Sequence, residues 1–244
     1  MPRRLEAMVP NVAERLQFMY MRHEYRHHRS ANKIDRDWSS INYNRIAFIN
    51  AAITAISLRK GSCSYLEIGC DNNTTFDAIS TASKVGVDPN RGGTLRMSSD
   101  EFFHSNKDEF DVIFIDGLHT YAQCHTDTKN ALEILRPGGF VFHHDFIPTN
   151  WIMEHVPRLS TTWTGDVWKV AFELYNADWI KFMIADADHG IGITFKGGSQ
   201  LRFQQDRAME TVGFDYFYDH YKTLPIGSAP EALKFISDCS SSNL

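Results

Sequence analysis

The chain has 244 residues, of which 43% are hydrophobic, and its 17 Phe support a sizeable core of one α/β domain with additions. Its formal net charge of −5 argues against nucleic acid as the main partner, and no apolar run approaches the roughly 20 residues of a membrane span. The four cysteines show no C-x-x-C spacing, which weighs against a zinc site or a redox pair and favours reduced thiols in a cytoplasmic protein.

The first 36 residues are basic, with eight Lys or Arg against four Asp or Glu. Their apolar residues Leu16, Met19 and Tyr20, with His23, follow helical spacing and predict a helix with one apolar side. Two interpretations stay open: a solvated face of a lid or dimer helix, or a patch that attracts an acidic substrate. Residues 39–59 predict a second helix that Lys60-Gly61 ends.

Residues 64–88 have the pattern of a nucleotide site. Residues 65–68 predict a buried strand, and Gly69 lets the backbone turn where a side chain would obstruct a ligand. Thr74 or Thr75 is expected to cap the helix that follows. Asp88 ends a second apolar run, where an acid can accept hydrogen bonds from both hydroxyls of a ribose. The predicted ligand is an adenosine derivative.

The turn after the first predicted strand favours S-adenosylmethionine over a dinucleotide as the ligand. A pyrophosphate requires G-x-G-x-x-G, whereas Asp71 and Asn73 follow Gly69 here, and an Asp would repel a pyrophosphate. Glu67 suits the ammonium and sulfonium of S-adenosylmethionine. The turn resembles motif I of class I S-adenosylmethionine-dependent methyltransferases, E-x-G-x-G-x-G; Asn and Asp best tolerate the left-handed backbone of the replaced glycines. An NAD-dependent oxidoreductase is the alternative.

The rest of the chain alternates predicted strands and helices. Strands are predicted at 94–97, at 111–116, which ends in Asp116, and at 140–145, which ends in His143, His144 and Asp145. Ser98 either lies near the adenine or caps the next helix. Two further strands at 179–186 and 191–195 have so short a link that they must be antiparallel. Helices are predicted at 118–135, 164–177, 214–218 and 230–236.

Three motifs in this region are specific in combination: I-D-G-x-H-T-Y at 115–121, R-P-G-G-F-V at 136–141 and H-D at 144–145. Together they resemble the methyltransferase subfamily that modifies sugar-containing and other small natural products, over about residues 65–146. The resemblance implies a Rossmann-like α/β fold, with a mainly parallel seven-stranded sheet, an antiparallel last strand and helices on both faces. We expect one domain overall, with an N-terminal helical extension at 1–60, the methyltransferase core at 61–199 and a C-terminal edge extension at 200–244.

The resemblance also implies the reaction and its participants. A methyl group would pass from S-adenosylmethionine to a hydroxyl, with an amine second, of a carbohydrate or sugar-containing metabolite, leaving S-adenosylhomocysteine. No nucleic acid or membrane partner is expected, and the amphipathic first helix favours a homodimer. A S-adenosylmethionine-binding module without catalysis is a further alternative.

The site residues follow from the ends of the predicted strands. His119 is the predicted base, with Asp116 and Asp145 beside it, because an imidazole accepts a proton at neutral pH. The predicted cofactor site comprises Glu67, Gly69, Asp71, Asn73, Thr74, Asp88, Pro89, Ser98, Asp116 and Gly117, and the predicted acceptor site comprises Tyr121, His144, Asp166 and Trp168. A plainer interpretation makes His119 a helix-start residue and Trp168 a packing residue.

Some members of the resembling subfamily bind a divalent metal, usually Mg²⁺, through acids after the fourth and fifth strands. The matching residues here are Asp116, His144 and Asp145, and the imidazole weighs against Mg²⁺, which prefers oxygen ligands. Strand alternation predicts that His143 and Asp145 share one face and that His144 lies on the other.

Overall fold

The computed structural model describes residues 11–198 and 203–241 of the chain. The strands of its sheet are β1 Ser64–Ile68, β2 Ser83–Val87, β3 Phe110–Ile115, β4 Leu135–His143, β5 Ile180–Ala185, β6 Ile191–Lys196 and β7 Ile226–Gly227. They lie in the order β2-β1-β3-β4-β6-β5-β7, and β6 is antiparallel to both of its neighbours while the other pairs are parallel. The predicted Rossmann-like fold with seven strands is confirmed.

Helices cover both faces of this sheet. The helices are α1 Val12–Glu24, α2 Arg45–Lys60, α3 Thr74–Ala78, α4 Ser99–Ser105, α5 Tyr121–Ile134, α6 Trp151–Glu154, α7 Trp168–Tyr175, α8 Phe214–His220 and α9 Ala229–Ser241. On β3, Val112 and Phe114 join the core cluster that holds α2 and α9, while Ile113 and Ile115 join the cluster that holds α5 and α7. Alternate side chains of each strand therefore build two cores, as the strand period requires.

Several elements differ from the prediction. The second helix begins at Arg45 instead of 39, because Asn44 has extended backbone and precedes the helix as its N-cap. The strand predicted at 94–97 is reduced to a single bridge between Leu95 and Val87, since Thr94 and Leu95 both donate to the carbonyl of Gly86. The seventh strand is instead β7, whose two residues are too few to produce a periodic pattern in the sequence.

The first helix forms as predicted, but its apolar side faces solvent. Val12, Leu16, Met19 and Tyr20 are 61–74% exposed, whereas Met21 and Tyr25 on the opposite side pack against the core. The helix is therefore attached to the body of the protein by one side only. The parts of the predicted N-terminal and C-terminal extensions at 1–10, 199–202 and 242–244 lie outside the described residues.

Candidate active site

A cleft of about 740 Å³ opens at the carboxyl ends of the parallel strands. The turn after β1 forms one wall, and its backbone is left-handed at Gly69, Asp71 and Asn73, with φ of 88°, 46° and 63°. The prediction that Asp71 and Asn73 tolerate this backbone is confirmed. A Cβ on Gly69 would collide with the carbonyl oxygen of Asp116, so only glycine lets β1 and β3 approach this closely.

Asp88 lies at the end of β2 and lines the cleft. One carboxylate oxygen accepts the backbone N–H of Asp71 at 2.9 Å, and the other accepts those of Asn90 and Arg91 at 2.7 and 2.9 Å. Burial alone would raise the pKa of Asp88, but these backbone hydrogen bonds hold it below its ordinary value. The cleft therefore presents an ionised carboxylate that can accept further hydrogen bonds.

Not every predicted cofactor residue reaches the cleft. Glu67 is 1% exposed and accepts a hydrogen bond of 2.5 Å from the Tyr65 hydroxyl, because strand alternation directs both side chains to the α2 face of the sheet. Burial raises the pKa of Glu67 to about 7. The Asn73 side chain accepts the backbone N–H of Gly93 in the loop after β2, and the Thr74 hydroxyl donates to Asn72 within the turn. The predicted residues that line the cleft are Gly69, Asp71, Asp88, Pro89, Ser98, Asp116 and Gly117.

Ser98 caps the next helix, as one of the two interpretations left open by the sequence held. Its hydroxyl accepts the backbone N–H of Glu101 at 3.2 Å, and the Glu101 carboxylate accepts the backbone N–H of Ser98 at 2.8 Å, so the two residues form a capping box at the start of α4. Ser98 also lines the cleft.

His119 lies between two carboxylates at the centre of the cleft. Its Nε2 is 3.2 Å from Asp116, and its Nδ1 is 3.3 Å from Asp145. Burial alone would lower the pKa of His119, but the hydrogen bond to Asp116 and the charge of Asp145 raise it above the ordinary value. The structure thus brings together the three residues predicted for catalysis.

The end of β4 departs from the predicted alternation. The strand stops at His143, and Asp145 has a left-handed backbone with φ of 66°, so His144 and Asp145 both line the cleft. His144 Nδ1 lies 3.3 Å from Asp116 and 3.2 Å from Asp145. His143 is fully buried, with Nε2 at 2.9 Å from the Thr128 hydroxyl, and burial lowers its pKa to about 3. The prediction that His143 and Asp145 share a face was wrong because one residue changes the backbone direction.

Two charged residues complete this cluster and were missed from the sequence. Arg45, in the first turn of α2, donates to Asp116 at 2.6 Å and to both oxygens of Asp188 at 2.8 and 3.1 Å. Asp188 lies in the link between β5 and β6. Burial would raise the pKa of Asp116 and of Asp188, but His144 and Arg45 hold both well below the ordinary value. No local pattern relates positions this far apart in the chain.

The wall opposite the cofactor turn comes from residues 158–163. Trp163 is half-buried and lines the cleft with Arg158 and Thr161. The Trp163 ring stacks on His119 with centroids 5.3 Å apart, and its backbone carbonyl lies 3.0 Å from His119 Nδ1. A Trp surrounded by polar residues is the sequence signal that could have identified this wall.

Three of the predicted acceptor residues lie elsewhere. Trp168 is fully buried and donates its indole N–H to Glu154 at 3.1 Å, as the plainer interpretation held. The Tyr121 hydroxyl donates to Glu173 at 2.5 Å within the core. Asp166 accepts the backbone N–H of Tyr121 at 2.6 Å and so stabilises the start of α5. His144 alone of the predicted acceptor set lines the cleft.

The cleft also contains a group of donors that could hold a metal ion. One donor atom each from Asp116, His144 and Asp145 lie within 4.8 Å of one another, and these are the residues that the sequence indicated. Two carboxylates and an imidazole suit a first-row transition ion such as Mn²⁺ better than Mg²⁺. Arg45 already neutralises part of this charge through Asp116.

Residues 49–146 match the family model of a methyltransferase domain. The structure is similar to an O-methyltransferase from Bacillus cereus in complex with S-adenosylhomocysteine, at 10% identity over 77% of this chain and 92% of that chain, with a TM-score of 0.45. It is also similar to the methyltransferase PaMTH1 of Podospora anserina, at 15% identity over 79% of this chain and 99% of that chain, with a TM-score of 0.45. A third similar structure is the O-methyltransferase TomG of Streptomyces achromogenes, at 12% identity over 78% of this chain and 92% of that chain, with a TM-score of 0.43. The comparison with curated proteins finds no match.

The family match runs from within α2 to just beyond the end of β4. It contains Asp88, Asp116, His119 and Asp145, whose side chains line one cleft. The match favours the predicted methyl transfer over the alternative hydride transfer. The predicted enzyme class, an S-adenosylmethionine-dependent methyltransferase, is confirmed by this match.

Proposed function

We propose that this enzyme transfers the methyl group of S-adenosylmethionine to a hydroxyl of a sugar-containing small molecule. The observation that carries the proposal is the position of His119 between Asp116 and Asp145, in the same cleft as Asp88. Methyl transfer requires a nucleophile held in line with the methyl carbon and a group that removes its proton. This arrangement can supply both.

The charge of the cleft supports a cationic methyl donor. Five carboxylates line it, from Asp71, Asp88, Asp100, Asp116 and Asp145, against three guanidinium groups, from Arg45, Arg91 and Arg158, so acidic charge is in excess. Asp88 would bind the ribose hydroxyls, and the close approach of Gly69 and Gly117 would leave backbone accessible to the donor. Glu67 is buried beneath α2, so the acids of the cleft itself would interact with the ammonium and sulfonium.

The acceptor side supports a hydroxyl as nucleophile. His119 would remove the hydroxyl proton as the oxygen attacks the methyl carbon and the carbon–sulfur bond breaks, leaving S-adenosylhomocysteine. Asp116 and Asp145 would orient the imidazole and stabilise its protonated form. The sugar-containing acceptor rests on the resemblance of the I-D-G-x-H-T-Y and H-D motifs, and the half-buried ring of Trp163 offers an apolar surface for a sugar ring.

A divalent ion at Asp116, His144 and Asp145 is part of the proposal. When bound, such an ion lowers the pKa of a coordinated hydroxyl. The residues of the chain would then hold the acceptor beside His119. Since the imidazole of His144 favours a transition ion, Mn²⁺ is expected to serve better than Mg²⁺.

The test is transfer of a labelled methyl group from S-adenosylmethionine to a panel of sugars and sugar-bearing metabolites, with and without chelator. We expect His119→Ala and Asp145→Ala to retain S-adenosylmethionine binding, measured by thermal shift, and to lose turnover. If both variants kept full turnover, the assignment of the base would be wrong. A wild-type chain that bound the donor but methylated none of the panel would favour the non-catalytic module.

We also propose that the protein forms a homodimer through α1. Four apolar residues of this helix, Val12, Leu16, Met19 and Tyr20, are exposed side by side. Met19→Glu would place a charge at the centre of this surface and is expected to yield monomers in light scattering. An unchanged mass in this variant would exclude α1 as the interface.

We also propose a cytoplasmic location and a division of the chain at residues 60 and 199. Among the described residues, no helix has the length and apolar composition to cross a membrane. All four cysteines are buried as free thiols, which favours a cytoplasmic protein. The division at residues 60 and 199 is likewise a prediction, to be tested by limited proteolysis.

A further inference from the structure

A second, basic groove lies where the end of α1 meets α6. Arg22, His23, Arg26 and Arg29 line it together with Trp151 and Ile152, and its volume is about 420 Å³. The three arginines are four and three residues apart, and a helix brings such residues onto one side. The chain continues beyond α1 in a short 3₁₀ turn, Arg26–His28, which keeps this spacing.

Among the described residues, no acidic side chain balances the charge of this groove. No Asp or Glu lines it, and no ion pair joins its arginines to a carboxylate within 11–198 or 203–241. Within the part of the chain that the structure describes, the guanidinium groups of Arg22 and Arg26 donate to backbone carbonyls, those of Leu159 and His23, at 3.0 and 2.8 Å. Three guanidinium groups that line one groove repel one another, and a bound anion would relieve this repulsion.

We propose that this groove binds a phosphate-type oxyanion, as free phosphate or as the phosphate of a small ester. Guanidinium groups offer paired N–H donors that match the oxygens of a phosphate, and the hydrogen bonds are strengthened by charge. Trp151 and Ile152 supply an apolar wall for the organic part of an ester.

The site is separate from the active-site cleft. No described residue lines both, so the inference does not depend on the proposed acceptor. The two sites nevertheless share a loop: Arg22 donates to the carbonyl of Leu159, whose neighbour Arg158 lines the cleft. His155 connects them as well, since its side chain lies 2.9 Å from His28 and its carbonyl accepts the Trp163 indole N–H at 2.8 Å.

The experiment measures binding of inorganic phosphate and of phenyl phosphate to the full chain by calorimetry, with sodium chloride keeping the ionic strength constant. The variants are Arg26→Gln/Arg29→Gln, and Arg207→Gln as a control. Arg207 is exposed on a distant 3₁₀ turn, and its substitution removes the same kind of charge. We expect the double variant to weaken phosphate binding about tenfold or more and the control to leave it unchanged.

The two ligands distinguish the source of the phosphate. Tighter binding of phenyl phosphate would indicate an ester whose organic part contacts Trp151, and equal binding would indicate free phosphate; both support the site. The proposal is overturned if the double variant binds phosphate as tightly as the wild type, or if neither ligand binds. It is also overturned if Arg158→Gln, and not the double variant, abolishes binding, because the anion would then occupy the cleft.

Discussion

Arg45 shows how a single side chain can organise the cleft. Its guanidinium spans two carboxylates, with a forked contact to Asp188 and a single contact of 2.6 Å to Asp116. A lysine would keep the charge but could not make the forked contact. Because Asp116 also faces His119, the position of Arg45 fixes the residues around the proposed base.

Arg45→Lys is therefore expected to lower kcat about tenfold or more while the KM for S-adenosylmethionine changes little. Steady-state assays with labelled donor measure both constants. Arg59→Lys is the matched control, since the Arg59 guanidinium donates to the carbonyls of Ser240 and Gly138, and Arg59 does not line the cleft. An equal loss of kcat in the two variants would show that Arg45 does not position the residues around the base.

The environment of His119 predicts the pH dependence of the reaction. The hydrogen bond to Asp116 raises the pKa of His119 above 6.5, and a base acts only when it is deprotonated. The value of kcat/KM is therefore expected to rise with pH and to level off above an inflection higher than 6.5.

Asp116→Asn removes the negative charge beside His119 and should move this inflection to lower pH. A pH profile of kcat/KM for both proteins measures the change. An inflection below 6.5 in the wild type, or one that Asp116→Asn leaves in place, would count against His119 as the base.

Among the elements, the loop between α6 and α7 sets the position of His119. Gly165 in this loop has φ of 63° and lies so close to His119 that a Cβ would collide with the His119 carbonyl oxygen. The loop also supplies the Trp163 carbonyl to the imidazole. The position of His119 therefore depends on a short irregular segment between two helices.

Gly165→Ala is expected to lower the free energy of unfolding by about 1–3 kcal/mol, because alanine strains this backbone, and to lower kcat as His119 shifts. Chemical denaturation and turnover measure the two effects. At Gly198 a Cβ would meet no atom of the described residues within 4 Å, so Gly198→Ala should change neither quantity. A fully active and stable Gly165→Ala variant would show that the loop does not position the base.

For the whole molecule, buried carboxyl groups shape the dependence of stability on pH. Glu154 is 7% exposed and accepts the Trp168 indole N–H, and burial raises its pKa to about 7. A carboxyl whose pKa is raised in the folded state stabilises the fold below its unfolded pKa of 4.5, and this stabilisation is lost as the pH rises through 7.

The free energy of unfolding of the wild type should therefore fall between pH 5 and pH 8 by up to about 3 kcal/mol more than that of Glu154→Gln. The amide oxygen can still accept from Trp168, so packing is largely kept. Urea denaturation at several pH values measures the difference, and Glu24→Gln on the exposed side of α1 is the control. Parallel pH profiles for Glu154→Gln and the wild type would exclude this linkage.

The sequence alone determined the features that depend on neighbouring residues. The apolar runs of β1 and β3, the left-handed turn at Asp71 and Asn73 and the antiparallel pair β5 and β6 all follow from local backbone preferences. Asp88 and Asp116 could be assigned to the sheet edge because a parallel strand carries its next residue there. The three residues predicted for catalysis therefore meet in one cleft.

Only the tertiary structure decided which side chains face one another across that cleft. Arg45 reaches Asp188 and Asp116 because α2 packs beneath the sheet, and a left-handed residue at Asp145 reverses the alternation predicted for His144. Glu67 has the sequence position of a ligand-binding acid but lies buried against Tyr65. The physical reason is that periodicity fixes the direction of a side chain only while the backbone stays regular, and contacts between distant segments are set by packing.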